Sequence, residues 1–287
     1  ELPALHLNLL DRQDPGADTA APTPGPTTPA VVAVVVTHEP GPWFEDSLRA
    51  LATQDYPDLT VLVIDAGSAQ DPTQRVAAAC PNGFVRRIEA NPGFGAAANE
   101  VMETVEGASY LLFCHDDVAL SPGAVTALVE EAGRSNAGLV GPKVADWDDG
   151  RQLQAVGMTV DRIGHPSSYV EEGEYDQGQH DAVRDVFYLP GGCQLVRADL
   201  FATLGGFDPA MGFYGEDLDF GWRAKVAGAR VVVAPAAHVR HVADLADRRP
   251  DLDAHRLTER HRLRTVLTCY SFGTLLWLVP VLAVLSL

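Results

Sequence analysis

Glu216, Asp217 and Asp219 fall within four consecutive positions of the stretch GFYGEDLDFGWR, among glycines and aromatics, with Arg223 just beyond. A carboxylate in such a setting can act as a general base that takes a proton from a hydroxyl. Beside Phe213, Tyr214 and Trp222, desolvation would raise its pKa toward a useful value. The same residues also suit a helix start, since acids favour the first turn and Asp219 can pair with Arg223 at i,i+4. A second acidic group, Asp116 and Asp117, follows the apolar run YLLFC and His115. Adjacent carboxylates repel each other, so they need a cation, hydrogen-bond donors or open water. A divalent ion such as Mg2+ typically takes one or two carboxylates plus phosphate oxygens; a solvated turn whose Asp caps the next helix would satisfy the pair equally. HVRH, residues 238–241, sets two imidazoles three positions apart, a spacing open to metal ligation and to a purely structural histidine. In NPGFGAAAN, residues 91–99, Gly93 and Gly95 let backbone N–H groups approach an anionic ligand, or simply pack a helix closely. Neither a P-loop nor GxGxxG is present there. Asp65, closing VIDAGS, is an acceptor for a base or ribose, or a turn former.

The elements that must position these residues are legible from periodicity. VVAVVVT, TVLVIDAGS, FVRRIEA and SYLLFCHDDVAL read as four strands, the first two short, β-branched and buried on both faces. Helical spacing separates them: WFEDSLRALATQ, DPTQRVAAAC and the stretch opened by the 91–99 turn. SPGAVTALVEEAGR follows as a helix, with Ser121 as expected N-cap and Pro122 in the first turn. Such alternation predicts a doubly wound α/β sheet, in which ligands bind beyond the carboxyl ends of the strands. Residues 37–39, 65–68, 91–99 and 115–117 all follow strand ends, so four polar clusters are expected to converge on one edge. The second half is less regular. LVGPKV is a short strand, residues 146–185 are polar and glycine-rich, and VFYLPGGCQLVRADLFATLGGF reads as strand, turn, strand and short helix. A helix is then expected to end near Gly228, and a strand to reach Pro235.

The 287 residues are 46% apolar and 21% charged, enough for a sizeable core. A net charge of −18 argues against a phosphate-neutralising surface for nucleic acid. Cys80, Cys114, Cys193 and Cys269 are scattered without CxxC spacing and read as reduced thiols. Residues 1–30 read as a tail or linker, rich in Pro, Thr and Ala from Ala20 onward, without the pattern of a secretory signal. Residues 265–287 carry no charge and follow the basic cluster HRLTERHRLR. About 20 apolar residues span a bilayer, so residues 251–287 are expected to form basic-apolar helices associated with, or entering, a membrane at its cytoplasmic face. Gly273 and Pro280 interrupt that run, and a buried C-terminal helix is the alternative.

Taken in order, VVAVVVTHEP, TVLVIDAGS, NPGFGAAAN, LLFCHDDVALSPGAV, VGPKV and GGFDP…EDLDFGWR…HVRH resemble the family 2 inverting glycosyltransferases, of the bacterial rhamnosyl- and galactofuranosyl-transferase type that builds cell-surface glycans. The resemblance covers roughly residues 31–245. It implies a GT-A fold over residues 31–250: a Rossmann-like nucleotide-sugar half (31–140) fused to an acceptor-binding, catalytic half (141–250). It implies that Thr37, Glu39 and Asp65 hold the nucleoside, that the turn with Asn91, Gly95 and Asn99 lines the nucleotide-sugar site, and that Asp116 meets ribose or sugar. Asp117 and His241 would bind a divalent cation, Mg2+ or Mn2+, bridging the donor's diphosphate. Asp217, with Glu216 beside it, would be the catalytic base, and Gly191, Gly192 and Trp222 would lie near acceptor or donor sugar. The implied partners are a nucleotide-sugar donor and a glycan or lipid-linked acceptor. Many relatives carry Asp-x-Asp where this chain has His115-Asp116-Asp117, which leaves the metal register open by one residue; His38 stands where many have an aromatic. Two other readings stay open: a nucleotidyltransferase, although the 91–99 turn has no Lys or Arg, and a non-catalytic nucleotide-sugar-binding module.

Overall fold

The structure, a computed structural model, describes residues 7–8, 28–243 and 245–285. Most of the expected tail over 1–30 therefore lies outside the described residues. Within it, Leu7–Asn8 (β1) pairs in parallel with Val105–Glu106 (β5). Residues 31–115 alternate strand and helix as the sequence predicts: Val31–Thr37 (β2), Phe44–Ala52 (α1), Leu59–Ala66 (β3), Thr73–Ala79 (α2), Phe84–Ile88 (β4), Phe94–Ala98 (α3), Val101–Thr104 (α4) and Tyr110–His115 (β6). Beyond them come Val118–Leu120 (β7), Ala124–Ser135 (α5), Leu139–Asp146 (β8), Leu153–Ala155 (β9), Met158–Val160 (β10), Pro166–Ser168 (β11), Arg184–Asp185 (β12), Cys193–Arg197 (β13), Ala198–Thr203 (α6), Glu216–Val226 (α7) and Val231–His241 (β14). Leu245–Arg248 (α8), Ala254–Cys269 (α9) and Phe272–Leu285 (α10) close the described chain.

One mixed sheet runs in the order β12-β14-β8-β13-β6-β2-β3-β4, with β7 on β14 and β9 on β8. Strands β4, β3, β2 and β6 are parallel, and β13 enters antiparallel between β6 and β8. Along β2, Val31, Ala33 and Val35 join one apolar layer, and Val32, Val34 and Val36 join the other. Both faces are thus covered, as the unbroken apolar run requires. The chain reverses direction across the sheet between β2 and β6, which opens a crevice at their carboxyl ends.

Several expectations change. Helix α5 begins at Ala124 behind Gly123 (φ 78°), and the Ser121 hydroxyl donates to the His238 carbonyl at 2.9 Å rather than capping it. The SYLLFCHDDVAL strand breaks after His115, because 118–120 leaves the main ladder to pair with β14. Strand β14 continues past Pro235 to His241, with a register shift between Val233 and His238. Proline cannot donate to a ladder, and an irregularity at that point lets the strand continue. The apolar C-terminal run is also divided: α9 stops before an extended Tyr270, and the Ser271 hydroxyl accepts the Thr274 amide at 3.3 Å to start α10. No helix among the described residues is long and apolar enough to cross a membrane.

Candidate active site

The carboxyl ends of β2 and β6 meet through one short bond: the Thr37 hydroxyl donates to Asp116 Oδ2 at 2.6 Å. Asp116 is 3% exposed. Burial pushes its carboxyl up, against the pull of Arg248 and Thr37. Arg248 donates to Oδ1 at 2.8 Å and Oδ2 at 3.1 Å, and to the His38 carbonyl at 2.7 Å. Glu39, at φ 49°, ties two loops together: its amide donates to Ser68 Oγ, and its carboxylate accepts the Ala69 amide at 2.6 Å. Asp65 is fully buried and accepts from Arg87 Nε at 2.7 Å and the Ser68 amide at 3.3 Å. It therefore braces the loop at the end of β3.

The 91–99 turn is engaged mainly with the protein. Asn91 Oδ1 accepts the Gly93 amide, a local turn. Asn99 makes a two-way bond with the Phe207 backbone, accepting its amide at 2.9 Å and donating to its carbonyl at 2.8 Å. A Cβ on Gly95 would stand 2.9 Å from Phe207 Cβ. Gly95 and Asn99, expected on the nucleotide-sugar wall, thus lock the turn onto the segment ahead of α7. Phe94 turns toward the site, its ring 4.6 Å from that of His115.

His115, Asp117 and His241 come together with ligand atoms all within 4.8 Å of one another. His241 Nε2 lies 3.3 Å from Asp117 Oδ1, and His115 Nδ1 lies 3.9 Å from the same oxygen. The pairing of β7 with β14 causes this, since His241 stands opposite Val118. Asp117 Oδ1 and His241 Nε2 are buried without a hydrogen-bond partner. An unpaired carboxylate oxygen and an unpaired imidazole nitrogen facing each other are costly unless something joins them, and a divalent cation fits that set of ligand atoms. Burial lowers His115 to about 4, so its imidazole is neutral and able to ligate. Burial alone would raise Asp117, but His241, His115 and Arg248 together bring it to about 2. His115, left unassigned by the sequence pattern, thus joins the expected pair Asp117 and His241.

At the N-terminus of α7, Gly215 (φ 91°) turns the chain and Glu216 and Asp217 fill the first turn. Asp217 Oδ2 accepts the Gly191 amide at 3.1 Å, and Oδ1 accepts the Leu218 amide at 2.7 Å. Burial raises the Asp217 carboxyl despite these donors. Burial and the Asp217 charge push Glu216 up to about 8, and its Oε2 has no partner. Two neighbouring carboxylates that resist ionising together leave one avid for a proton. Asp219 takes the bland part expected of it, accepting from Arg223 Nε at 2.7 Å. Gly191 lies beside both Asp217 and the His115, Asp117 and His241 group, and Gly192 beside His241. A Cβ at Gly191 would sit 3.6 Å from His115 Nε2 and 3.9 Å from Asp217 Oδ2; one at Gly192 would sit 2.9 Å from His241 Cε1. Trp222 is the misplaced expectation. It is buried among Tyr188, Val266 and Leu278, edge-on to Phe187 and Tyr270, on the side where α9 and α10 pack.

The family model for glycosyl transferase family 2 matches residues 32–205. The chain belongs to that family. It is 29% identical over 239 residues to an N-acetylglucosaminyl-diphospho-decaprenol L-rhamnosyltransferase of Mycobacterium tuberculosis, covering 75% of this chain and 76% of that one. It is also 29% identical over 213 residues to the O-antigen biosynthesis protein RfbC of Myxococcus xanthus, covering 72% of this chain and 16% of that protein. Among solved structures, GalNAc-T7 with UDP, GalNAc and Mn2+ superposes with a TM-score of 0.62 at 14% identity, covering 74% of this chain and 43% of the other. S. aureus TarS 1-349 in complex with UDP superposes at 0.54 and 18% identity, covering 73% and 60%. The chain therefore spans less than two thirds of either structural neighbour, and these likenesses speak to the fold, which is GT-A. Family membership makes this glycosyltransferase a nucleotide-sugar enzyme and disfavours both nucleotidyl transfer and a non-catalytic module.

Proposed function

We propose that this glycosyltransferase is an inverting, cation-dependent enzyme that moves a sugar from a nucleoside diphosphate to a hydroxyl of a lipid-linked glycan. The observation that carries the reading is that Asp217 and the His115, Asp117 and His241 group both border Gly191, where a Cβ would lie 3.9 Å from Asp217 Oδ2 and 3.6 Å from His115 Nε2. A base on one side of a sugar and a phosphate-holding group on the other are the needs of a single displacement. Asp217 takes the proton of the acceptor hydroxyl as that oxygen bonds to the anomeric carbon. The bond from the anomeric carbon to the phosphate oxygen breaks, and its electron pair leaves with the nucleoside diphosphate. Attack opposite the leaving group inverts the configuration, as in inverting glycoside hydrolysis with a sugar hydroxyl in place of water. A divalent ion held by His115, Asp117 and His241 would supply Lewis-acid stabilisation of the departing phosphate charge. Two imidazoles and one carboxylate favour Mn2+ over Mg2+, which prefers oxygen donors. Glu216, raised in pKa, leaves the negative charge of the pair on Asp217.

The acceptor class and location draw on two supports. The Mycobacterium tuberculosis relative is named for a decaprenol-linked substrate. Helix α10 exposes Phe272, Leu276, Trp277 and Val284 to solvent, while α9 exposes Arg256 and Arg260. An apolar helix flanked by arginines suits the anionic cytoplasmic face of the cell membrane.

A transfer assay with Asp217→Asn tests the base. We expect turnover to fall by roughly 10² to 10⁴-fold with nucleotide affinity retained, and NMR of the wild-type product to show inverted anomeric configuration. Unchanged turnover, or retention, would overturn the mechanism. A thermal-shift panel of UDP-, dTDP- and GDP-sugars with Mn2+ or Mg2+ identifies the donor, since ligand at 100 times its Kd stabilises the fold by about 2.7 kcal/mol.

A further inference from the structure

Arg248 reaches the donor site from outside the strands that build it. It sits at the end of α8, a four-residue helix with no buried residue, so little packing holds that element in place. Its guanidinium instead spans both Asp116 oxygens and the His38 carbonyl, and lies 5.8 Å from the centre of the Trp43 ring. The next residue, Arg249, lies 4.6 Å over the Phe213 ring, ahead of the base-bearing turn. This short segment therefore bridges His38 and Asp116 on one side and Phe213 on the other.

Charge gives the bridge a purpose. A nucleoside diphosphate sugar brings two negative charges to a site floored by Asp116 and Asp117. The Arg248 charge acts on His115, Asp116 and Asp117 alike. A guanidinium fork fits phosphate as well as it fits carboxylate. We propose that Arg248 is a ligand of the donor's diphosphate: it rests on Asp116 before the donor binds, then passes to the phosphate oxygens and frees Asp116 Oδ1 to accept from a donor hydroxyl, while Oδ2 keeps the Thr37 hydroxyl. This rests on the reading of the site beside Asp116 and Asp117 as the nucleoside-diphosphate site.

Calorimetric titration of the full chain in Mn2+ with UDP, dTDP and GDP, each beside its nucleoside, tests the proposal in wild type, Arg248→Ala and Arg248→Lys. Arg248→Ala should weaken the preferred diphosphate by roughly 10 to 100-fold and leave the matching nucleoside unchanged or tighter. Arg248→Lys should recover part of the loss, because it keeps the charge without the fork. Equal weakening of diphosphate and nucleoside would assign Arg248 a structural role and overturn the proposal, as would a diphosphate that binds Arg248→Ala as well as wild type or better. Wild type that binds no nucleotide would instead defeat the functional reading itself.

Discussion

Glu216 is 7% exposed, and its side chain shares one helical turn with Asp217. Its ordinary pKa of 4.5 is raised to about 8 in the folded protein, by burial first and by Asp217 second. A carboxyl raised on folding adds stability that is complete below its unfolded pKa and is lost as pH climbs through the folded one. Wild-type thermal stability should therefore decline between about pH 5 and pH 8.5, by an amount on the order of a few kcal/mol. Glu216→Gln, which mimics the neutral acid, should match wild type near the lower pH and exceed it near the upper. Melting curves across that range check this, and parallel profiles would contradict it. The orphaned pair Asp117 Oδ1 and His241 Nε2 leads to a second expectation. Mn2+ should raise the melting temperature of wild type, and His115→Ala should lose most of that rise; a full response in the variant would remove His115 from the ligand set.

At the scale of elements, the contact that sets the site's shape is backbone on backbone. Gly93 has φ 96°, and a Cβ there would fall 1.3 Å from the Gly212 carbonyl oxygen. No side chain rearrangement relieves such an overlap, so Gly93→Ala must push the turn before α3 away from the segment leading into α7. We expect a loss of about 2 kcal/mol or more, seen as a lower denaturant midpoint, with turnover reduced because Asp217 moves. Retention of full stability and activity would show that the two segments part freely. The same logic explains Asn99, whose amide bonds the Phe207 backbone at both ends and couples the turn to the segment ahead of α7. Nothing in NPGFGAAAN foretells that partner, which lies 108 residues away.

For the whole molecule, α10 poses the open question of what its apolar surface meets. Phe272 is 77% exposed and Val284 71%, whereas Leu278 is fully buried against the Trp222 cluster. One face thus anchors the helix to the enzyme and the rest remains uncovered, a division suited to lying in a lipid interface. Sedimentation with anionic vesicles should bring down wild type, and Phe272→Ser combined with Trp277→Ser should weaken that binding by roughly tenfold, at about 1 kcal/mol or less per residue lost from the interface. Equal sedimentation of both proteins would remove α10 from the membrane reading.

The amino-acid order by itself determined which residues close strands. Apolar β-branched runs buried on both faces, separated by helical spacing, can only alternate in a covered parallel sheet, so Thr37, Asp65, Asp116 and Asp117 were bound to share an edge. The Glu216 and Asp217 pair was legible for the same local reason, being two acids opening one amphipathic turn. Tertiary structure decided who meets whom. Asp117 meets His241 because a strand with a register shift near Pro235 continues to β7. Trp222 turns inward because α9 and α10 offer it an apolar partner, and Arg248 reaches Asp116 across 132 residues. Periodicity reports which side of an element a residue occupies. The partner on that side depends on register and packing between segments far apart in the chain, where burial of apolar area and the pairing of buried charge are settled together.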